Sequence, residues 1–280
     1  MKKYIINFTP TGMVPTKELT PKVPISPSEI IDEVVEAKRL GASIVHLHIR
    51  DEKGFPAWEK ERYEQVIEGI KNREKNDKDK LIICVSTSGR NWPEFEKRSN
   101  CLEIKGANKP DMASLTLSSL NFPKSASVNS PEMIQRLAAK MLEKGIKPEL
   151  EAFDAGMVNY AKYLIHKNLV KPPFYFNLIF GNISSSQLSL IDIGSVILHL
   201  PEFSYWSLGG IGLDQLKANV TALLYGGGIR IGLEDNIYFD NEKKVLASNL
   251  DLLKRISDIS SLLGVEPYTS GELRSKLNLI

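Results

Sequence analysis

The stretch Ser43-Ile-Val-His-Leu-His-Ile-Arg-Asp-Glu52 is a short apolar run that ends in polar residues, and it contains two of the chain's four histidines. Aliphatic and β-branched residues favour an extended strand, in which residues i and i+2 point to the same face. His46 and His48 therefore project from one side of a predicted strand. Two imidazoles at this spacing are typical of a metal site, although a core histidine beside a surface histidine would give the same pattern.

Seven further β-rich runs occur along the chain, with segments of helical period between them. The eight predicted strands are Tyr4–Phe8, Ile44–Ile49, Leu81–Val85, Met112–Leu115, Glu149–Phe153, Phe174–Ile179, Tyr205–Leu208 and Ile229–Leu233. This alternation predicts an α/β fold built from βα units around a parallel sheet. Eight units in 280 residues predict a (β/α)8 TIM barrel, a single domain over residues 1–280. A doubly wound open sheet is the alternative, but no G-x-G-x-x-G fingerprint follows the first strand.

The predicted helices have recognisable starts. Ser26-Pro27-Ser28-Glu29 combines a capping serine, a proline at the first helical position and a glutamate three residues after the cap, so a helix should run to Leu40. The pair Ser130-Pro131 repeats this start. Other helical patterns cover Arg62–Lys71, Met157–Lys167, Gln187–Leu200, Leu213–Leu224 and Val245–Leu263, and a last helix begins near Thr269. An extended loop at about residues 87–111 follows the third strand and contains one short helix from about Pro93.

Composition excludes several classes of partner and location. With 36 Lys and Arg against 34 Asp and Glu, the chain has no strong basic field, so we expect no nucleic acid partner and favour a small molecule. The two cysteines, Cys84 and Cys101, lack CxxC spacing, which indicates a reducing compartment. No run approaches the ~18 apolar residues of a membrane helix, and the first residues are interpreted as a strand and not as a signal peptide. We therefore expect no membrane association and a cytoplasmic protein.

A barrel enzyme has its active site at the carboxyl ends of the strands, where His46 and His48 are predicted to lie. The other two histidines, His166 and His199, fall in helical segments, so a third metal ligand has to be a carboxylate. The run Gly226-Gly-Gly-Ile-Arg-Ile-Gly-Leu-Glu-Asp-Asn236 supplies Glu234 at the end of the last strand. A His-His-Glu set leaves open positions for substrate on Zn²⁺, the default ion, with Mn²⁺ or Fe²⁺ as alternatives. A solvated acidic loop is the competing interpretation.

The same run places Asp235 next to this ligand and Arg230 on the strand itself. By the period of two, Arg230, Gly232 and Glu234 are expected to share one strand face. An arginine beside an aspartate orients the carboxylate and keeps it ionised, ready to remove a proton from carbon. A metal-bound carbonyl would make that carbon acidic, so the chemistry indicated is C–H abstraction next to a ketone.

Polar residues and glycines at the other strand ends are candidates for substrate binding. Two glycines after the seventh strand lie where barrels often bind anions through backbone N–H groups. Hydroxyls and a guanidinium, in Ser86 to Arg90, end the third strand, although an ordinary polar loop has the same composition. The candidate substrate-binding residues are Ser86, Thr87, Ser114, Thr116, Glu151, Gly209 and Gly210.

With these residues assembled, the chain resembles the family of β-keto acid cleavage enzymes over nearly its whole length. The motifs that carry the resemblance are I-V-H-L-H-I-R-D-E-K-G, V-S-T-S-G, P-D-M-A-S-L, V-N-S-P-E, G-I-K-P-E-L-E-A-F-D-A-G-M, P-P-F-Y-F-N-L-I-F-G, W-S-L-G-G-I-G and R-I-G-L-E-D-N-I-Y. The resemblance implies a zinc-dependent barrel that forms a homotetramer and uses acetyl-CoA as co-substrate. By matching motif, it implies His46, His48 and Glu234 as zinc ligands and Asp235 with Arg230 as the deprotonating dyad. Ser86 matches a position that helps to hold the keto acid, and Thr116 and Glu151 are carried over in the same way.

The family reaction exchanges a β-keto acid with acetyl-CoA and gives acetoacetate and a new acyl-CoA. Family members that act on amino-bearing keto acids have a G-A-E pattern in the loop after the first strand, where this chain has Thr11-Gly-Met-Val14. An ammonium group would find no counter-charge there, so we expect a less cationic β-keto acid to be preferred. Two other functions fit the same residues: a zinc-dependent aldolase or hydrolase that needs no acetyl-CoA, and a non-catalytic metal-binding or ligand-sensing barrel.

Overall fold

Eight parallel strands close into a barrel in the computed structural model of the protein, which describes residues 2–75 and 77–279. The barrel strands are β2 (Ile6–Phe8), β3 (Ile44–Leu47), β4 (Ile82–Val85), β5 (Met112–Thr116), β8 (Lys147–Ala152), β9 (Phe174–Phe180), β10 (Ser204–Gly210) and β11 (Gly228–Ile231). The short strands outside the barrel are β1 (Lys3–Tyr4), β6 (Leu120–Asn121), β7 (Ala126–Ser127) and β12 (Glu266–Pro267). Each barrel strand pairs with the next one along the chain, and β11 pairs with β2. The predicted (β/α)8 barrel is confirmed.

Helices cover the outside of the barrel. They are α1 (Pro27–Arg39), α2 (Lys60–Arg73), α3 (Phe95–Arg98), α4 (Pro131–Lys144), α5 (Ala155–His166), α6 (Leu190–Leu198), α7 (Asp214–Tyr225), α8 (Asn249–Leu262) and α9 (Ser270–Leu277). The connection after β4 contains only the four-residue α3 and two 3-10 turns. Helix α9 has a different place: Leu273 and Leu277 pack in one buried cluster with Ile44 and Met112, so α9 covers the amino-terminal end of the barrel. The carboxyl-terminal end is left for a site.

Capping interactions explain where several of the helices begin. The Ser26 hydroxyl accepts a hydrogen bond from the backbone N–H of Glu29, whose carboxylate accepts one from the Ser26 N–H, the predicted capping box. Helix α8 has the same box at Ser248, three residues after Val245, where the helical pattern was predicted to begin. Leu246, in between, forms a β-bridge with Tyr238. This antiparallel pairing keeps Leu246 out of the helix despite the helical pattern, and the predicted start of α8 was wrong.

The inside of the barrel is layered by the alternation of its strands. Apolar side chains fill the amino-terminal end, among them Ile44, Ile82, Met112 and Tyr175. Two residues further along the strands, the next layer of inward-facing side chains is polar and buried. Its members include Asn7, His46, Glu149, Asn177 and Ser207. Buried polar groups have to be hydrogen-bonded, and this layer is connected from Asn7 to Ser207. In the part of the chain that the structure describes, no helix is long and apolar enough to cross a membrane.

Candidate active site

A cavity of about 470 Å³ opens at the carboxyl ends of the barrel strands. Its polar wall includes the groups predicted for chemistry, namely His46, His48, Ser86, Thr116, Glu151, Arg230, Glu234 and Asp235. Its apolar wall comes mostly from loops, with Met13 and Val14 after β2 and with Leu120 and Phe122 in the β6–β7 hairpin. A pocket of this size, with converging titratable groups at a barrel's carboxyl-terminal end, is where such folds carry out chemistry.

Three of these side chains form a cluster suited to a divalent cation. His46 Nε2 lies 3.3 Å from His48 Nε2, and His48 Nε2 lies 3.4 Å from Glu234 Oε1. Nitrogen and oxygen ligands at about 2.0–2.1 Å from a tetrahedral ion are roughly 3.3 Å from one another. The second carboxylate oxygen of Glu234, Oε2, is buried and has no hydrogen-bond partner among residues 2–75 and 77–279. The spacing and the unsatisfied oxygen both fit an ion that three protein ligands hold with positions left open.

A second group of metal-binding residue types, His46, Cys84 and Glu149, lies deeper in the barrel. There His46 Nδ1 and Glu149 Oε2 are only 2.6 Å apart, a direct hydrogen bond that leaves no space for an ion between them. The other oxygen of Glu149 accepts hydrogen bonds from the amides of Asn7 and Asn177. Glu149 therefore acts as an orienting partner that directs Nε2 of His46 towards the cavity.

Electrostatics in this region favour positive charge between the ligands. Burial opposes protonation of His46, but the Glu149 and Glu234 carboxylates outweigh it and raise the pKa of His46 to about 9. Burial lowers the pKa of His48, which keeps its imidazole neutral. Burial alone would raise the pKa of Glu234, but Arg230 and the two imidazoles hold it well below its usual range. An ionised carboxylate between two imidazoles stabilises a cation, whether a proton or a metal ion.

Arg230 connects the metal-binding cluster of His46, His48 and Glu234 to Asp235, the candidate base. Its Nη2 donates to Glu234 Oε1 at 2.8 Å, and its Nε donates to Asp235 Oδ2 at 2.9 Å. Asp235 Oδ1 receives only a longer contact of 3.3 Å from Nη2. Burial raises the pKa of Asp235, although Arg230 opposes the rise. Burial thus gives this carboxylate a greater affinity for a proton than an exposed aspartate has, which suits a general base, and the arginine acts in the predicted direction.

A turn, and not a strand, presents the two acids. Strand β11 ends at Ile231, and the backbone N–H groups of Asp235 and Asn236 donate to the carbonyl of Gly232. The predicted common strand face for Arg230, Gly232 and Glu234 was therefore wrong. Gly232 has φ of 155°, and a Cβ there would lie 2.0 Å from the carbonyl oxygen of Thr9. Glycine makes the turn feasible, and the turn lets two adjacent acids reach one guanidinium.

Among the other predicted substrate-binding residues, Ser86, Thr116 and Glu151 line the cavity. Thr116 Oγ1 donates to Glu151 Oε2 at 2.7 Å. Burial raises the pKa of Glu151, while Arg230, whose Nη1 is 3.8 Å from Glu151 Oε1, opposes the rise. Arg230 Nη1 has no hydrogen-bond partner in the described part of the chain, so a donor is available beside the cluster for an incoming oxygen.

Four predicted residues do not reach the cavity wall. Thr87 Oγ1 donates to the carbonyl of Ser114, and the Ser114 hydroxyl accepts from the Thr87 N–H, so the pair ties β5 to the end of β4. A Cβ on Gly209 would lie 3.1 Å from Arg230 side-chain carbons, and one on Gly210 would lie 2.4 Å from the backbone of Asp214. These positions favour roles in close packing, because the hydroxyls are already bonded and the glycines make room for neighbours.

Two features of the site lacked a clear sequence signal. Glu149 precedes Glu151 by two on β8, and the period of two could have placed both inside the barrel. The hydrogen bond between Glu149 and His46, however, joins residues 103 positions apart, so local sequence patterns could not predict it. Arg50 is also buried; its Nη2 donates to the carbonyls of Gly12 and Pro15 and so fixes the loop that carries Met13 and Val14.

Comparisons with known proteins agree with this geometry. The family described as beta-keto acid cleavage enzyme matches residues 3–279. The chain is 35% identical to the 3-keto-5-aminohexanoate cleavage enzyme of Fusobacterium nucleatum, over all of this chain and 99% of that protein. It is 34% identical to the 3-oxoadipate:acetyl-CoA acetyltransferase of Cupriavidus necator, over 98% of this chain and 94% of that protein. The structure of ObcA with a C4-CoA adduct and oxalate superimposes with a TM-score of 0.77 at 23% identity, over 92% of this chain and 68% of ObcA.

Proposed function

Because the chain belongs to the β-keto acid cleavage enzyme family, we propose that it condenses a β-keto acid with acetyl-CoA to give acetoacetate and a new acyl-CoA. The observation that carries the proposal is Arg230, which binds Asp235 and Glu234 at once. One guanidinium thereby orients a base directly beside a cluster of metal-binding groups. A barrel with only a structural or sensing role has no need for a base in this position.

We propose His46, His48 and Glu234 as the ligands of a zinc ion. The donor set and its spacing fit Zn²⁺, and the orphaned Glu234 Oε2 supports the assignment. When bound, zinc supplies a Lewis acid that makes the carbon next to a ketone more acidic. The Glu149 carboxylate holds the proton on His46 Nδ1 and leaves Nε2 free to act as a ligand.

The chain's own groups carry the proton and position the reactants. Asp235 takes a proton from the carbon between the ketone and the carboxylate, and Oδ1 is the acceptor because Arg230 binds it less closely than Oδ2. The carbanion attacks the thioester carbonyl of acetyl-CoA, and CoA thiolate leaves. The thiolate then attacks the original ketone, the bond between that carbon and the central carbon breaks, and Asp235 returns its proton to the central carbon. Acetoacetate keeps the carboxylate and adjacent carbon of the keto acid, and the remaining acyl group departs on CoA.

Other residues of the cavity would hold the keto acid. Among the described residues, Arg230 Nη1 is a buried donor without a partner, and Ser86 lines the same cavity. Thr116 and Glu151 form a hydrogen-bonded pair on the adjacent wall. The loop at Met13 and Val14 contributes apolar surface with no acid, which supports preference for a less cationic acid over an aminated one.

We further propose a cytoplasmic homotetramer. Both cysteines are buried and unpaired, as suits a reducing compartment.

Apolar side chains are exposed on and beside α6; they are Ile183, Leu190, Ile191, Leu198 and Phe203. Water-exposed apolar groups at this density favour burial against another copy of the chain. Light scattering tests this, since the double substitution Ile191→Asp and Leu198→Asp should reduce the assembled mass, and an unchanged mass contradicts the placement.

The decisive experiment measures acetoacetate from a panel of cationic, neutral and dicarboxylic β-keto acids, with and without acetyl-CoA, using protein of known zinc content. We expect product only with acetyl-CoA. Asp235→Asn should lower turnover by about 10²–10⁴-fold with zinc retained, while Asp258→Asn on α8 serves as the control. Cleavage without acetyl-CoA would instead establish a zinc-dependent aldolase or hydrolase.

A further inference from the structure

Arg90 is a charged residue that lines the cavity but has no role in the proposed reaction. It follows β4 and lines the same cavity as the metal-binding cluster. Its guanidinium carbon lies 3.7 Å from the centre of the Phe122 ring, so the aromatic face supports the planar cation and leaves its edge free to donate. Among residues 2–75 and 77–279, no carboxylate forms an ion pair with Arg90.

The acids nearest to Arg90 are already engaged. Burial lowers the pKa of Arg90, and the Glu234, Asp235 and Glu151 carboxylates only partly offset this effect. Glu234 and Asp235 bind Arg230, and Glu151 accepts from Thr116. A half-buried guanidinium that lacks a paired anion is costly unless a ligand provides one. The guanidinium of Arg90 therefore lines the cavity without an anionic partner from the described residues.

Outside the central acids, the charged side chains on the cavity wall are positive, like Arg90. In the described part of the chain, every acid that lines the cavity belongs to the central cluster of Glu151, Glu234 and Asp235. Away from this cluster, the charged groups on the wall are Arg90, Lys124 and Lys243. Lys124 and Lys243, unlike Arg90, stand on exposed segments. Of these cations, only Arg90 combines partial burial with an aromatic platform, which makes it the group suited to select a ligand by charge.

We propose that Arg90 selects a β-keto acid with a second carboxylate, remote from the carboxylate of the keto acid end. The inference rests on the proposed function and adds the substrate class to it. The keto acid end lies at the metal-binding cluster, and the second carboxylate pairs with the guanidinium that Phe122 supports. In this proposal Arg90 determines specificity and is not a catalytic residue, because it takes no part in the bond-making and bond-breaking steps at the metal-binding cluster.

The test compares kcat/KM for 3-oxoadipate and 3-oxohexanoate, two acids of equal chain length that differ in the terminal carboxylate. Wild-type protein should prefer 3-oxoadipate. Arg90→Met should lower kcat/KM for 3-oxoadipate by about 10–100-fold and change that for 3-oxohexanoate less than threefold. Arg90→Lys should retain an intermediate preference, because the charge remains and the fork is lost. Lys167→Met, outside the cavity, is the charge-matched control.

Three outcomes would overturn the inference. An equal loss for both acids would mean that Arg90 binds the carboxylate they share. A rise in the KM for acetyl-CoA with either acid would mean that Arg90 binds a phosphate of CoA. A wild-type preference for 3-oxohexanoate would leave the reaction standing and refute the substrate class. If neither acid gives acetoacetate, the proposed function fails, and calorimetric binding of the two acids to wild type and Arg90→Met still tests the charge selection.

Discussion

Glu149 Oε2 lies 2.6 Å from His46 Nδ1, and both groups are completely enclosed in the barrel. The carboxylate fixes the direction of the imidazole, and two amides fix the carboxylate in turn. Glu149→Gln should weaken zinc binding by about 10–100-fold, because the amide is a poorer acceptor and orients His46 less firmly. Competition with a chelator measures this affinity.

Glu151→Gln is the matched control for that substitution, since Glu151 lies on the same strand and bonds to Thr116 and not to His46. Its zinc affinity should stay within about threefold of wild type. Equal losses in the two variants would mean that the general negative charge of the barrel, and not the bond to His46, sets the affinity.

The packing of Gly209 against Arg230 should be catalytically important. Arg230 is almost completely buried and bound to two acids, so it cannot easily yield to a methyl group 3.1 Å from its side chain. Gly209→Ala should lower kcat about tenfold by displacing the guanidinium and Asp235 with it. Gly194→Ala on α6, where a methyl group meets nothing within 4 Å, should leave kcat unchanged. Full activity of Gly209→Ala would show that Arg230 can shift without consequence.

The loop after β2 should decide whether a cationic acid is accepted. Val14 is 53% exposed and lines the cavity, so a polar replacement costs little stability. Val14→Glu should raise kcat/KM for 3-keto-5-aminohexanoate at least tenfold, because the ammonium gains a counter-charge. Val14→Gln, similar in size but uncharged, should not. A wild-type enzyme that turns over this amino acid faster than uncharged analogues would refute the expectation for the loop.

Stability should depend on pH through Glu33, a residue of α1 that accepts a hydrogen bond from Asn249. Burial raises the pKa of Glu33 from 4.5 to about 7, although Asn249 Nδ2 donates to it at 2.5 Å. Since the folded-state pKa is the higher one, the contribution to stability is complete below pH 4.5 and is lost as pH rises through 7. Glu33→Gln keeps an acceptor for Asn249 and avoids the buried charge.

The variant should therefore gain about 1–2 kcal/mol of unfolding free energy at pH 8 relative to wild type and little at pH 4.5. Denaturant melts at both pH values measure the difference. Glu36→Gln on the same helix, where the side chain is 46% exposed, is the control. A gain at pH 8 no larger than at pH 4.5 would contradict the assignment to Glu33.

Much of the architecture followed from local pattern. The alternation of apolar runs and helical segments predicted all eight barrel strands within a few residues, and serine caps predicted the starts of α1 and α4. Errors arose where strand-like pairing between loop residues competes with helical preference, as at Leu246, which bridges to Tyr238, so that α8 begins later than predicted. Strand β11 likewise ends before Glu234, because Gly232 turns the chain close to Thr9.

The sequence by itself determined the barrel and the presence of His46, His48, Arg230, Glu234 and Asp235 at the ends of strands, because strand period and apolar spacing are properties of neighbouring residues. Only the tertiary structure decided which polar groups meet. It brings Glu149 into hydrogen-bonding distance of His46 and Thr87 into hydrogen-bonding distance of Ser114. It also packs Gly209 against Arg230. Finally, it stacks Arg90 on Phe122, where no carboxylate of the described residues forms an ion pair with it. The physical reason is that barrel closure fixes the stagger of strands far apart in the chain, and this stagger sets every distance across the site.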